Sequence, residues 1–348
     1  MNKKRVIIAR QSGKITLIEG PIPEIKSGSV LVRVHNSLVS PGSEVGGWRN
    51  LHNQQAVESE PKPFGYANAG IVEQVGNGVS RFKAGDRIAC MGAGYALHSN
   101  YAVVPHNLCV PLPDNVNFAQ GAYGHLAATA VHVYRRGQSG FGEFAAVVGL
   151  GVLGQLCAMI HQMAGSLVIG WDTIPFRTKI ANNWGIDAIA IPGQEDEVEL
   201  TQKFTSHQGL DTGVIAFGGD ANQAIQKLQK CFKSSPDGHL MGRIMIPGGA
   251  YFDFPRSITN MDICRVGRTG FGYHDEAWEF GNDYPPVVMR WTTQTNLKLC
   301  MRLISEGKLN VGTLTTHTIE LEHAESEMAK IIQYPDSMLG VIFEMSSW

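Results

Sequence analysis

Apolar positions along this chain follow two different periods, and the change falls near Phe118. Before it, short apolar runs are cut by glycine. Residues 6–9 and 15–19 flank Ser12-Gly13-Lys14, a hairpin signal, and residues 29–35 (SVLVRVH) alternate with a period of two. Residues 70–75, 87–91, 101–104 and 107–110 continue the series, with turns at Gly76-Asn77-Gly78 and Gly85-Asp86. Short strands joined this way predict a compact, strongly bent barrel. After Phe118, residues 119–136 read as helix, and strands then alternate with helices. Strands are expected at 144–148, 167–171, 188–191, 213–217 and 243–246, and helices at 176–184, 195–207 and 222–232. That alternation predicts a doubly wound parallel sheet. Residues 293–306 form a further helix, with Leu297, Leu299, Cys300 and Leu303 on or near one face, and residues 336–345 a final strand. Residues 253–284 are harder to read, and part of a dimer contact is expected there.

The stretch FAAVVGLGVLGQLCAMIHQMAGSLVIGWD, residues 144–172, organises the second half. A short strand meets Gly149, Gly151 and Gly154, spaced G-x-G-x-x-G. A helix with Leu156, Met159, Ile160 and Met163 follows, then a second strand leading to Asp172. In this setting the first glycine allows a tight turn, the second leaves room for a pyrophosphate, and the third permits close helix–sheet packing. Free N–H groups at the helix start would take the phosphates. Asp172, 18 residues after Gly154, is placed to accept hydrogen bonds from a ribose 2′-hydroxyl, whereas a 2′-phosphate would meet repulsion. The expected cofactor is therefore NAD rather than NADP. The segment from Phe144 to Trp171 lacks Asp, Glu, Lys and Arg, as a membrane span would. Gln155, His161 and Gln162 in its middle, with its glycines, speak against a spanning helix.

Composition narrows the classes of partner. The 348 residues suffice for two domains, and the formal net charge of -2 with 17% charged residues offers no basic cluster for nucleic acid or an anionic membrane. Lys3-Lys4-Arg5 precedes an apolar run too short for a signal peptide. The six cysteines (Cys90, Cys109, Cys157, Cys231, Cys264, Cys300) are scattered, without a C-x-x-C pair, which disfavours a zinc knuckle or disulfide framework. A soluble cytoplasmic protein is the expectation.

A barrel-like first region, a dinucleotide domain and a short return segment together resemble the medium-chain dehydrogenase/reductase family. The resemblance covers essentially the whole chain. It rests on Gly65-Tyr66-Ala67 with Ala69-Gly70-Ile71-Val72, Gly85-Asp86-Arg87, Ala127-Ala128-Thr129-Ala130, the glycine turn with Asp172, Gly242-Arg243-Ile244 and the stretch from Leu314 to His317. YPPVVMRWTTQTN, residues 284–296, is similar to a subgroup linked to sugar and cyclitol metabolism. The resemblance implies an α/β chain: a GroES-like β-barrel catalytic domain over residues 1–122, a Rossmann NAD-binding domain over 123–292, and a return to the catalytic domain over 293–348. A homodimer is also implied.

Zinc alcohol dehydrogenases of this family hold their catalytic metal with Cys, His and Cys. Matched by motif, those positions carry Pro41, Tyr66 and His125 here. Proline has no ligand atom and a phenol is a poor zinc ligand. The four-cysteine lobe for structural zinc is missing too, so a zinc-free member is expected, with no metal site. By the same carry-over Ser43 matches the family's proton-relay hydroxyl and Glu44 the carboxylate that stands behind its metal ligands. His125 or Tyr66 is then the expected acid/base, His125 because an unperturbed imidazole titrates near neutrality. Tyr95, His98 and Tyr123 are weaker candidates to line the substrate site. Gly149, Gly151, Val152, Leu153, Gly154 and Asp172 are expected to hold the cofactor, aided by Arg177 five residues past Asp172 and by Thr129, Phe217, Gly218, Pro247 and Gly248 at strand ends or the cleft. The expected reaction is interconversion of a secondary alcohol, a sugar, cyclitol or other polyol, with its ketone. The alternatives are a quinone- or enoyl-type double-bond reductase using NAD(P)H, and a nucleotide-binding relative without turnover.

Overall fold

The computed structural model describes residues 4–45, 60–254 and 260–345. The chain divides into two compact units, Met1–Ala128 with Thr269–Trp348, and Thr129–Arg268.

The first unit is built on a seven-stranded sheet. Its strands run in the order Thr315–Glu320, Gly340–Glu344, Ser29–Val39, Ala67–Val75, Arg87–Met91 and Cys109–Pro111, and Tyr101–Pro105 also pairs with Ser29–Val39. The alternating SVLVRVH segment is thus the central strand. Its pairing with Ala67–Val75 shifts register twice, and such shifts bend and twist a sheet. Gly70 sits at this crowded place: a Cβ there would lie 2.1 Å from Arg33 O. The predicted hairpin is present as Arg5–Gln11 against Lys14–Gly20, closed by Ser12 and Gly13 at φ 48° and 75°. Positive φ at both central residues matches the strand twist.

The helix expected over 119–136 is two helices, Phe118–Ala122 and Gly124–Gly137. Asn117 and Gln120 cap the first reciprocally. Tyr123 falls at the break, its hydroxyl 2.8 Å from Thr315 Oγ1.

The second unit holds a six-stranded, all-parallel sheet in the order Ala188–Ala190, Leu167–Trp171, Phe144–Val148, Thr212–Ile215, Arg243–Ile246, Asp262–Arg265. Numbered within the unit this is 3-2-1-4-5-6, the doubly wound order whose reversal point lies beside the first strand. Ala146, Val148, Ile169, Ile215, Ile244 and Ile246 form its apolar core. The sixth strand carries little sequence signal because it is an edge strand, exposed at both ends and half-buried between. Of residues 253–284, residues 255–259 lie outside the described residues.

The second unit ends at Arg268, not at 292 as expected from sequence. Residues 269–292 are tied to the first unit by long-range bonds. Thr269 Oγ1 donates to Met91 Sδ (3.5 Å), Asn296 Nδ2 to Thr269 O (2.8 Å) and Asn107 Nδ2 to Trp278 O (2.6 Å). The first boundary falls within the helix Gly124–Gly137, after Ala128 rather than at 122. Among the described residues no helix is long and apolar enough to cross a membrane.

Candidate active site

The glycine turn follows the first parallel strand. Gly149 adopts φ 94°, and a Cβ on it would press on Ala216 and Phe217 at 3.2 Å. Gly154 lies in the first turn of the helix Val152–Met163, and a Cβ there would come within 1.8 Å of Gly149 O. Gly151 caps that helix with no side-chain hydrogen bond, and open space surrounds its missing Cβ. The helix therefore starts with N–H groups that no side chain caps, beside room for a ligand. Val152 is buried and Leu153 half-buried.

Asp172, one residue past the second strand, is buried. Its Oδ2 accepts from Leu150 N (2.7 Å) and its Oδ1 from Ile174 N (2.8 Å). The carboxylate thus braces the turn, while each oxygen keeps a further lone pair for a hydroxyl. Arg177 Nη1 lies 3.8 Å from Asp172 Oδ2, and its buried Nε has no hydrogen-bond partner among the described residues. The turn and the carboxylate fit the ribose–pyrophosphate part of a dinucleotide. Phe217 and Gly218 follow the fourth parallel strand, and Pro247 and Gly248 the fifth. Just beyond, the chains pair as Gly219–Asp220 with Ala250–Tyr251. Thr129 is buried on the helix Gly124–Gly137.

Sequence reasoning missed Gln155. Its Nε2 donates to Leu150 O (3.0 Å) and Arg177 O (3.1 Å), and its Oε1 accepts from Trp184 Nε1 (2.7 Å). This buried amide ties the glycine turn to the helix carrying Arg177.

In the first unit the four expected catalytic residues come together. Ser43 and Glu44 lie in a single π-turn, Pro41–Val45. Tyr66 Oη is 2.6 Å from Ser43 Oγ, and Ser43 Oγ donates to Ser40 Oγ at 2.8 Å. With that proton committed, Tyr66 is the donor to Ser43 and keeps an acceptor lone pair. The Tyr66 ring lies 4.4 Å from the His125 ring, which meets Tyr273 edge-on at 5.6 Å. Burial, then the nearby Glu44 charge, pushes the Tyr66 phenol well above its ordinary range, so it is a neutral hydroxyl at physiological pH.

His125 corrects an expectation. It is not poised near neutrality: burial, aided by the nearby His274, pushes it down to about 3, so the imidazole is neutral. Glu44 is buried as well, and its Oε2 accepts from Ser40 N at 2.7 Å. Of the weaker candidates, Tyr123 is fully buried, whereas Tyr95 packs edge-on against Phe280.

A second buried imidazole, His161, is pushed down to about 4. Both histidines bind a proton more readily unfolded than folded. Their contribution is whole above their ordinary 6.5 and is lost as pH falls from there toward 4 and 3. Between pH 7 and pH 5 each should cost roughly 2 kcal/mol of stability. Denaturant melts at the two pH values check this, and an unchanged midpoint contradicts it.

The donor chemistry here does not suit a catalytic zinc. Pro41 offers no ligand atom, and the Tyr66 hydroxyl is engaged with Ser43. Among the described residues, the one cluster of three His, Cys, Asp or Glu ligand atoms is exposed Glu320, Glu322 and His323, which does not include His125.

Comparison with known proteins agrees with this architecture. Residues 26–114 match the alcohol dehydrogenase GroES-like domain. The chain is 23% identical to D-xylulose reductase A of Aspergillus oryzae, over 91% of this chain and 90% of that one. Two solved structures share the fold. One is a "short chain alcohol dehydrogenase" from Escherichia coli CFT073 complexed with NADH (TM-score 0.74, 18% identity, 98% and 99% of the two chains). The other is a putative zinc-binding dehydrogenase from Sinorhizobium meliloti 1021 bound to NADP (TM-score 0.75, 17% identity, 99% and 100%). The fold is α/β: a GroES-like domain joined to a Rossmann domain with a parallel sheet.

Proposed function

We propose that this chain is a member of the medium-chain dehydrogenase/reductase family, an oxidoreductase interconverting a secondary alcohol and its ketone with NAD(H). Its substrate class is a sugar, cyclitol or other polyol, in keeping with its likeness to a D-xylulose reductase. The observation that carries the reading is the pairing of an intact dinucleotide turn with a hydroxyl relay, Tyr66–Ser43–Ser40, where a metal would stand.

Gly149, Gly151 and Gly154, with the N–H groups of Val152 and Leu153, would hold the pyrophosphate. Asp172 would hold the adenosine ribose, with Arg177 alongside. Thr129, Phe217, Gly218, Pro247 and Gly248 would line the rest of the cofactor's path. A bound nicotinamide supplies the hydride acceptor or donor. The chain's own work is proton management. Tyr66 Oη accepts the alcohol proton while passing its own to Ser43, Ser43 passes its proton to Ser40, and Ser40 releases its own to solvent water. In the reverse direction Tyr66 donates to the carbonyl oxygen. Neutral His125 holds the Tyr66 ring in place. Pro41 and Tyr66, at two of the three positions matched to the family's zinc ligands, support the zinc-free reading.

Asp172 favours an unphosphorylated ribose. NADH should bind at least about tenfold tighter than NADPH, a difference of roughly 1.4 kcal/mol. Paired titrations followed by cofactor fluorescence test this; preference for NADPH would favour the double-bond reductase instead.

A further inference from the structure

Beside Glu44 lies a buried histidine that the relay does not use. His98 is completely shielded from solvent, and its Nε2 is 3.3 Å from Glu44 Oε1. Neither atom makes a hydrogen bond among the described residues, so at this separation the two meet as a close buried pair of ionisable groups. On its far side His98 Nδ1 shares a hydrogen bond with Ser37 Oγ at 2.8 Å. Phe64 and Phe343 meet the ring edge-on at 4.9 and 5.2 Å. Aromatic packing alone would be served by phenylalanine, and burying an imidazole without use is costly. Glu44 in turn accepts from Ser40 N, and Ser40 Oγ accepts from Ser43 Oγ, which meets Tyr66.

We infer that His98 is a positioning residue: by holding Glu44 it fixes the turn that presents Ser43 to the Tyr66 hydroxyl. This rests on the function proposed above only for its catalytic consequence; the geometric claim stands by itself. Without the imidazole beside Oε1, the buried carboxylate would turn toward another donor, and the bond to Ser40 N would loosen with it. Residues in one such network also show strong non-additivity.

The test compares His98→Phe, which keeps the aromatic packing, with His98→Gln, which keeps a donor toward Glu44, and with Glu44→Gln and the His98→Phe/Glu44→Gln double variant. Protein labelled with carbon-13 at tyrosine Cζ reports on the Tyr66 hydroxyl, its signal assigned by Tyr66→Phe. The Tyr66 signal should move beyond its linewidth in His98→Phe and in Glu44→Gln, and stay near wild type in His98→Gln. With NAD+ and xylitol, kcat should fall about tenfold or more in His98→Phe, equivalent to roughly 1.4 kcal/mol, with KM for NAD+ unchanged. The double variant should be no worse than the poorer single. An unmoved Tyr66 signal in folded His98→Phe, or kcat losses that simply add, would overturn the inference. Wild-type protein that reduces no NAD+ with xylitol would count against the proposed function, and the tyrosine signal would still decide the role of His98.

Discussion

Gly154→Ala should abolish dinucleotide binding and lower the stability of the second unit. The added methyl would lie 1.8 Å from Gly149 O and 2.9 Å from Gly149 C, both backbone atoms of the turn itself. No rotamer can relieve a clash with a carbonyl, so the helix must lift off the strand end or the turn must open. Overpacking of this kind costs roughly 3 kcal/mol. Gly151→Ala is the informative contrast. Gly151 has φ -64° and nothing within 4 Å of a Cβ, so its variant should melt like wild type. Its methyl would nevertheless stand where a phosphate approaches, and NADH affinity should fall. Thermal melting paired with NADH titration separates the two effects. A Gly154→Ala protein that melts and binds like wild type would show that the turn does not carry this function.

Tyr66→Phe should lower kcat by about 10²–10⁴-fold, the usual contribution of a positioned proton-transfer group. The ring, and with it the 4.4 Å packing on His125, is retained; only the hydroxyl 2.6 Å from Ser43 is lost. Stability and NADH affinity should change little, which separates a chemical role from a structural one. Steady-state kinetics with NAD+ and a polyol check this, and a loss smaller than a few-fold would move the proton elsewhere. His125→Asn should not shift the pH–rate profile near neutrality, because the imidazole is already neutral there.

The second unit is legible in the sequence because its signals are local. The glycine spacing, the helix that follows and the buried parallel strands can each be read within a few residues. The candidate site of the first unit is legible in part: resemblance points to Ser43, Glu44, Tyr66 and His125, and the fold brings them together. What stays hidden depends on residues distant in sequence. His125 is neutral because the fold buries it and brings His274 near, which no local pattern reveals. The assignment of residues 269–292 to the first unit rests on bonds such as Thr269 to Met91, 178 positions apart. His98 reads from sequence only as a weaker candidate to line the substrate site, and its approach to Glu44 is visible only once the π-turn carries Glu44 to it. The edge strand Asp262–Arg265 is hard to see because a half-exposed edge needs little hydrophobic periodicity.

The central claim is that a dinucleotide lies over the glycine turn while hydroxyl groups, not a metal ion, handle the proton. Its most direct test measures NAD+ reduction with a polyol panel on chelator-dialysed protein, with zinc content determined on the same sample. The account predicts turnover that survives chelation, with zinc far below one atom per chain. Stoichiometric zinc whose removal stops the reaction would contradict it.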